Sequence, residues 1–411
     1  MNRYSVPKSN KLNKGSSKSK PHVTVGKVIL LTFLSLLFVF LLTVYIFLNI
    51  YKPSINNGFD FGNDIPIIEF EDNNAAPNEN QAADGGSSQQ TVKGNRIEGD
   101  SYTFLIVGTD NVGGNTDTMM LVMFNVKESK ISILNIPRDT YISINDAKIN
   151  MPKSDIKDVS VSSYTGRINA YYSHGYIAGW NATQDKGKAA EIGMKYLENV
   201  VKSAFGVPVD KYIFIDLAGF KALVDSIGGI DMDVPVRMDY EDPEQNLYIH
   251  LAKGFQHLDG NKAEQLVRFR HGYLTQDIGR IETQQKFMAA LMKKLLKFDL
   301  NNIKSIFDVG TKYMTTDISG GDFAWFAAKI LNVKLENVRT HTVPGEGFTT
   351  SSGAAVYSAY RKETIEIINK YYNPYINEIP ESNFNIKQYS SVYYSAGNID
   401  TDGATMDNLG Q

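Results

Sequence analysis

The amino-acid sequence predicts an α/β (α+β mixed) fold, with a single transmembrane helix followed by an extracellular mixed β-sheet flanked by helices. Three observations carry that expectation. An uncharged apolar run fills Val28–Ile50, short apolar runs closed by Gly or Pro lie between Tyr102 and Pro137, and helical patterns follow them. Strand and helix patterns that interleave in this way build a sheet covered by helices.

The first element is the apolar run. Its 23 residues carry no charge, and only Thr32, Ser35, Thr43 and Asn49 are polar. As a helix at about 1.5 Å per residue it covers roughly 34 Å, enough for a bilayer core of about 30 Å. A cleaved signal peptide has a shorter apolar region and a small-residue cleavage site; here Tyr51-Lys52-Pro53 follows instead. A buried soluble helix is rarely so uniformly apolar behind so one-sided a tail. Residues 1–27 hold seven Lys and Arg and no acid. Basic flanks stay in the cytoplasm, so the topology expected is a single pass with the N-terminus inside and the bulk of the chain outside.

Residues 51–100 hold nine acids and three bases, counted from Lys52, with no hydrophobic period. That is the composition of a disordered acidic linker. An ordered domain is expected over 101–375, and the Asn/Ser/Gly-rich stretch 376–411 reads as a weakly ordered tail. The net charge of the whole chain is -3 and it has no Cys. The near-neutral balance argues against a nucleic-acid partner. The absence of Cys excludes disulfides, thiolate catalysis and Cys-ligated metal sites.

Within the ordered domain, strands are expected at Tyr102–Gly108, Met119–Val126 and Lys130–Pro137. Helices are expected at Lys188–Phe205, Asp216–Gly229, Asn261–Val267 and Gly279–Phe298. Between the first two strands the loop TDNVGGNTDT places two carboxylates, Asp110 and Asp117. Hard cations such as Mg²⁺ take oxygen ligands of this kind, although turns also use Asp and Gly for their conformations.

Arginine usage is more selective. Of ten Arg against 32 Lys, five lie in three short segments: Arg138, Arg167, and the trio Arg268, Arg270 and Arg280. A planar fork that grips phosphate oxygens bidentately is a reason to choose Arg where Lys is otherwise preferred; surface ion pairs are the alternative. Arg138 has a neighbouring partner in Asp139. In an extended segment Arg268 and Arg270 would share a face. In the last helix Arg280 and Gln284 fall on the arc of Phe287, Met288, Leu291 and Leu295, which points to a cleft with polar partners.

The ordered motifs FLIVGTD, NTDTMMLV, ISILNIPRDTY, RINAYYSHG, GFQHLDGNKAEQLVRFRH and DIGRIETQQKFM resemble the LytR–CpsA–Psr family in sequence and spacing. The similarity covers Tyr102 to Phe298 and continues more loosely to about Asn373. It implies a membrane-anchored, Mg²⁺-dependent phosphotransferase of Gram-positive-type envelopes. Such proteins move a teichoic acid, capsule or other wall glycopolymer from a polyprenyl-pyrophosphate carrier to a peptidoglycan acceptor, usually forming a phosphodiester with the muramic acid 6-hydroxyl. The resemblance also implies an apolar tunnel for the lipid tail. By motif position Asp110 and Asp117 resemble the metal ligands and Arg138 the key catalytic arginine, oriented by Asp139. Arg167, Arg268, Arg270, Arg280 and Gln284 match pyrophosphate and head-group ligands, with Asp277 supporting one of the arginines. Two positions depart from the family pattern. Asn115 stands where an Arg is common, in a shorter loop, and Arg167 replaces the usual Lys before Ile-Asn-Ala. A hydrolase of the same pyrophosphate and a non-catalytic lipid- or wall-binding protein are the other readings of these residues. His174 has the chemistry of a general base but reads as structural.

Overall fold

The computed structural model describes residues 25–55, 96, 99–109, 114, 116–142, 166–245, 247–270, 272, 277–297, 300–351, 353–389 and 401–409. The chain divides into two units, Met1–Tyr51 and Lys52–Gln411. The first contains helix α1 (Val25–Ile50), which covers the apolar run. Its side chains are described from Ser35 onward except those of Tyr45 and Leu48, and Leu36, Phe38 and Phe40 are exposed. Among the described residues no helix is long and apolar enough to cross a membrane.

The second unit is built on a seven-stranded mixed sheet. β1 (Ser101–Thr109), β2 (Thr118–Asn125) and β3 (Lys130–Asn135) form an antiparallel meander. Helices α2 (Asn169–Thr183) and α3 (Lys186–Phe205) follow. β4 (Lys211–Asp216) then pairs parallel with β1, and helix α4 (Leu217–Ser226) leaves its end. The chain next runs out and back as a long two-stranded ribbon. β5 (Ile230–Val234) and β6 (Met238–Asp242) form the outward arm, and β7 (Leu247–Leu251) and β8 (Gly254–Leu258) form the return arm. Helices α5 (Gly260–Arg268), α6 (Asp277–Leu295) and α7 (Leu300–Tyr313) lead to β9 (Met314–Thr316), which extends the sheet beside β4. Helix α8 (Gly320–Ile330) precedes β10 (Val338–Thr342), parallel to β3. The hairpin of β11 (Gly345–Thr349) and β12 (Ala355–Ala359), helix α9 (Arg361–Tyr371), the edge strand β13 (Ala404–Thr405) and the short helix α10 (Met406–Leu409) complete the described chain.

One core lies between this sheet and helices α2, α3 and α9, with Leu105, Leu121, Leu134, Tyr172, Leu197 and Ile368 buried in it. Glycine sets the spacing of α2 and α3. A Cβ on Gly175 would stand 2.8 Å from Tyr196, and one on Gly193 would stand 2.8 Å from the Tyr172 ring. A second core joins the inner face of the ribbon (Ile230, Met232, Ile249, Leu251) to Leu266 of α5 and Phe287 and Leu291 of α6.

Two boundaries expected from composition shift. Arg96, within the expected linker, has a buried side chain that bridges Asp210: Nη1 donates to Oδ1 at 2.7 Å, and Nη2 pairs with the other carboxylate oxygen. This ion pair, which composition does not reveal, ties Arg96 to the start of β4, and Nη2 also donates to Ser101 O of β1 at 2.9 Å. At the other end, Ile379, Phe384 and Ile386 are buried in the first core. Arg361 donates to the carbonyls of Glu381, Phe384 and Ile386 at 2.6–2.8 Å. The described parts of the expected tail are therefore packed, because a few apolar residues among the polar ones anchor it. An apolar tunnel is not among the features that the described residues show.

Candidate functional site

Three segments converge at the ends of β2 and β3. Pro137, which has no N–H to donate to a ladder, follows β3 and starts a turn that Thr140 closes, its N–H donating to Pro137 O at 2.9 Å. Arg138 and Asp139 occupy this turn. Asp117 lies just before β2, its N–H donating to Gly108 O at 2.9 Å. Arg167 enters α2 beside a bridge to Tyr141. Gly166 before it has φ +66°, and a Cβ there would stand 2.4 Å from the Tyr141 ring. The peptide N–H groups of Asn169 and Ile168 donate to Arg138 O and Thr140 O, which fixes the α2 entrance on the turn.

The side chains form one alternating network. Arg138 Nη1 donates to Asp117 Oδ1 at 2.8 Å and Arg138 Nε lies 3.7 Å from Asp139 Oδ2. Arg167 Nε lies 3.3 Å from Asp139 Oδ1, and its Nε and Nη2 donate to Ala355 O of β12 at 3.1 and 2.7 Å. Asp139 is within ion-pair distance of Arg138, as expected, but it is not its nearest partner. The close partner of Arg138 is Asp117, whereas Asp139 sits nearer Arg167. The four side chains are 32–40% exposed, in the range where ion pairs contribute only about 0–1 kcal/mol. Two guanidinium groups held by two weakly bound carboxylates can exchange a carboxylate for a phosphate oxygen at little cost.

Thr116 and Asn169 add a feature that sequence reasoning missed, although both lie inside the quoted motifs. The Thr116 N–H donates to Asn169 O at 3.3 Å. Thr116 Oγ1 and Asn169 Oδ1 are buried without a hydrogen-bond partner among the described residues. Asp110 and Asn115 lie outside the described residues.

Arg268 belongs to a second group. As the last residue of α5 it donates to Glu264 at 3.0 Å, and Glu264 also takes Lys221 at 3.0 Å. Arg268 ends the helix, Phe269 after it is extended and buried, and Arg270 is exposed beyond it. Gln284 Nε2 donates to Val267 O at 3.2 Å and so fastens α6 to the end of α5. Asp277 and Arg280 are in the first turn of α6, with side chains outside the described ones. His174 lies on α2, where burial pushes its imidazole below the usual range.

The profile of the LytR_cpsA_psr family matches residues 67–372. The chain belongs to the LytR_cpsA_psr family. It is 28% identical over 276 residues to a Bacillus cereus protein named polyisoprenyl-teichoic acid–peptidoglycan teichoic acid transferase TagU, with 65% of this chain and 77% of that protein covered. It is 29% identical over 267 residues to the cell wall biosynthesis protein LcpA of Corynebacterium glutamicum, covering 63% of this chain and 48% of LcpA. With the biofilm regulatory protein A of Streptococcus mutans it shares 25% over 284 residues, 66% of this chain and 62% of that protein. The chain thus spans less than two thirds of the last two relatives. The fold matches that of protein gbs0355 from Streptococcus agalactiae with a TM-score of 0.53 at 20% identity, covering 74% of this chain and 92% of the other. This LytR_cpsA_psr chain has a mixed sheet flanked by helices, and its network Arg138–Asp117–Asp139–Arg167 lies within the matched residues.

Proposed function

We propose that this chain is a phosphotransferase that moves a glycopolymer from a polyprenyl-pyrophosphate carrier to peptidoglycan. The half-exposed, charge-balanced network of Arg138, Asp117, Asp139 and Arg167 carries the reading. The name of the Bacillus cereus relative, a teichoic acid transferase acting between a polyisoprenyl carrier and peptidoglycan, supports it.

Phosphoryl transfer asks a protein mainly for positioning and for neutralisation of charge on phosphate oxygens. In the proposed step a sugar hydroxyl of the acceptor attacks the phosphorus that bears the glycan. A new P–O bond forms, the P–O–P bond breaks, and polyprenyl phosphate leaves with the electron pair. The proton of the hydroxyl passes to solvent or to a phosphate oxygen. Arg138 exchanges Asp117 for a phosphate oxygen, and Arg167, held by Asp139 and Ala355 O, presents its guanidinium to the other phosphate. Arg268, Arg270, Arg280 and Gln284 are proposed to contact the head group, and Asp277 to pair with one of these arginines.

The donor set near Asp117 fits a hard cation. It is made of oxygens, and the buried Thr116 Oγ1 and Asn169 Oδ1 of the neighbouring residues have no hydrogen-bond partner among the described residues. Asp117 and Asp110 would hold Mg²⁺. The ion would add positive charge opposite the phosphate oxygens. We further propose that Val28–Ile50 anchors the protein in the cell membrane as a single pass with the N-terminus cytoplasmic and the remainder extracellular. An apolar tunnel for the lipid tail completes the proposal.

The test uses the full chain in detergent with Mg²⁺ and a lipid-linked glycan. Polyprenyl phosphate released only when peptidoglycan is present is the expected result. Release at the same rate without the acceptor would assign hydrolysis instead and overturn the transferase reading.

A further inference from the structure

The outward face of the β5–β8 ribbon has no part in the chemistry above, yet its composition is far from random. Its inner positions are apolar and buried in the second core. Its outer positions follow a strict arrangement across the two arms. The Cα register sets Asp231 opposite His257, Asp233 opposite Phe255, Asp239 opposite His250 and Glu241 opposite Tyr248. Every outward position of the paired strands β5 and β6 is thus a carboxylate, and every one of β7 and β8 is a ring; the exposed Arg237, between β5 and β6, pairs with Asp239. All eight are exposed.

Phe255, 76% exposed, is the most exposed large apolar side chain among the described residues, and Tyr248 is 46% exposed. The polar rings are held in place. His250 Nδ1 lies 2.8 Å from Asp239 and its Nε2 3.3 Å from Glu241, and His257 Nδ1 lies 2.8 Å from Asp231. Neighbouring outward rings on a strand stand about 7 Å apart. The ribbon is tied to α5, the helix that ends in Arg268, because the His250 N–H donates to Gln265 Oε1 at 2.8 Å.

From this face we infer that the ribbon binds the glycan backbone of the acceptor. Rings stacked on the apolar faces of sugars, beside carboxylates that accept from hydroxyl and acetamido N–H groups, are the chemistry such a strand needs. The charge selects between polymers. Residues 230–258 hold six acids against two bases, so a phosphate-rich polymer is repelled and an uncharged, donor-rich backbone is accepted. The identification of that backbone as peptidoglycan rests on the transferase reading; the glycan-binding face itself does not.

The experiment is co-sedimentation of the full chain, in detergent, with peptidoglycan stripped of secondary polymers, with soluble N-acetylglucosamine oligomers as competitor. Wild type is expected to sediment and to be displaced by the oligomers. The double variant Tyr248→Ala/Phe255→Ala is expected to bind about tenfold more weakly with an unchanged melting temperature, and Tyr248→Trp/Phe255→Trp to restore binding. Should the alanine variant unfold, Asp233→Lys/Glu241→Lys tests the same face and is expected to lose oligomer displacement. Wild-type binding by either folded variant, or a preference of wild type for purified teichoic acid over stripped peptidoglycan, overturns the inference. If wild type binds through this face but transfers nothing, the transferase reading fails and the glycan face stands.

Discussion

Among the arginine–aspartate pairs of the described residues, Arg96–Asp210 and Arg138–Asp117 differ widely in burial. Arg96 and Asp210 are almost wholly withdrawn from water, at 3% and 0% side-chain exposure. Asp210 also accepts from Thr103 N–H at 2.7 Å and from Thr103 Oγ1 at 2.9 Å. Arg138 and Asp117 are more than a third exposed, and among the described residues their side chains share one close contact, with each other. A buried pair locked by further donors cannot exchange partners, because either charge alone would be stranded in low dielectric. A half-exposed pair can trade its carboxylate for a substrate oxygen. Burial, rather than residue type, separates the fastening arginine from the one proposed to bind phosphate.

The sharpest way to break this comparison is to remove each arginine in turn. Arg96→Ala is expected to cost about 3–5 kcal/mol of stability, as loss of one partner of a buried pair does. Urea unfolding followed by circular dichroism measures it, and a loss under 1 kcal/mol would put Arg96 in the same class as Arg138. Next in size, Asp117→Ala is expected to lower transfer about 10²-fold, since Arg138 loses its close partner and the proposed metal loses a ligand. Single-turnover release of polyprenyl phosphate reads this. Arg167→Lys keeps the charge but cannot hold Asp139 and Ala355 O together through a fork. A fall in kcat/KM of about tenfold is expected, and unchanged kinetics would remove Arg167 from the site.

The smallest effect concerns pH. A cleft lined by Glu191, Lys195, Glu198, Asp210 and Asp317 lies beside β4. Burial first, and then the like charge of Asp317, pushes the Glu198 carboxyl up to about 8. A raised acid contributes stability that is fully present below its ordinary value of 4.5 and is lost as pH rises through about 8. The melting temperature of wild type should therefore fall between pH 5 and 9 more steeply than that of Glu198→Gln. Parallel profiles would show that Glu198 titrates normally.

How far the sequence discloses all this depends on what each segment buries. β1 to β3 read as apolar runs because both faces are covered, and α3 to α6 read by their stripes. Helix α2 escapes, because Gly175 and Gly179 mark its buried face where a stripe would need large residues; their Cβ atoms would meet Tyr196 and Ala189 within 3 Å. The ribbon is legible in the sequence, since Ile-Asp-Met-Asp-Val and Leu-Tyr-Ile-His-Leu alternate strictly. Within the site, the arginines and Asp117 stand out by type and motif. Their pairing does not, because Asp139 adjoins Arg138 in sequence while the turn leaves it nearer Arg167. The Ala355 carbonyl, a backbone acceptor, leaves no trace in residue identity.

The half-exposed network is proposed to perform phosphoryl transfer while contributing little to folding. Arg138→Ala tests it most directly when both quantities are measured on one preparation. The account predicts acceptor-dependent transfer lowered about 10²–10³-fold with an unfolding free energy within about 1 kcal/mol of wild type. Transfer at the wild-type rate, or a stability loss as large as that of Arg96→Ala, would contradict it.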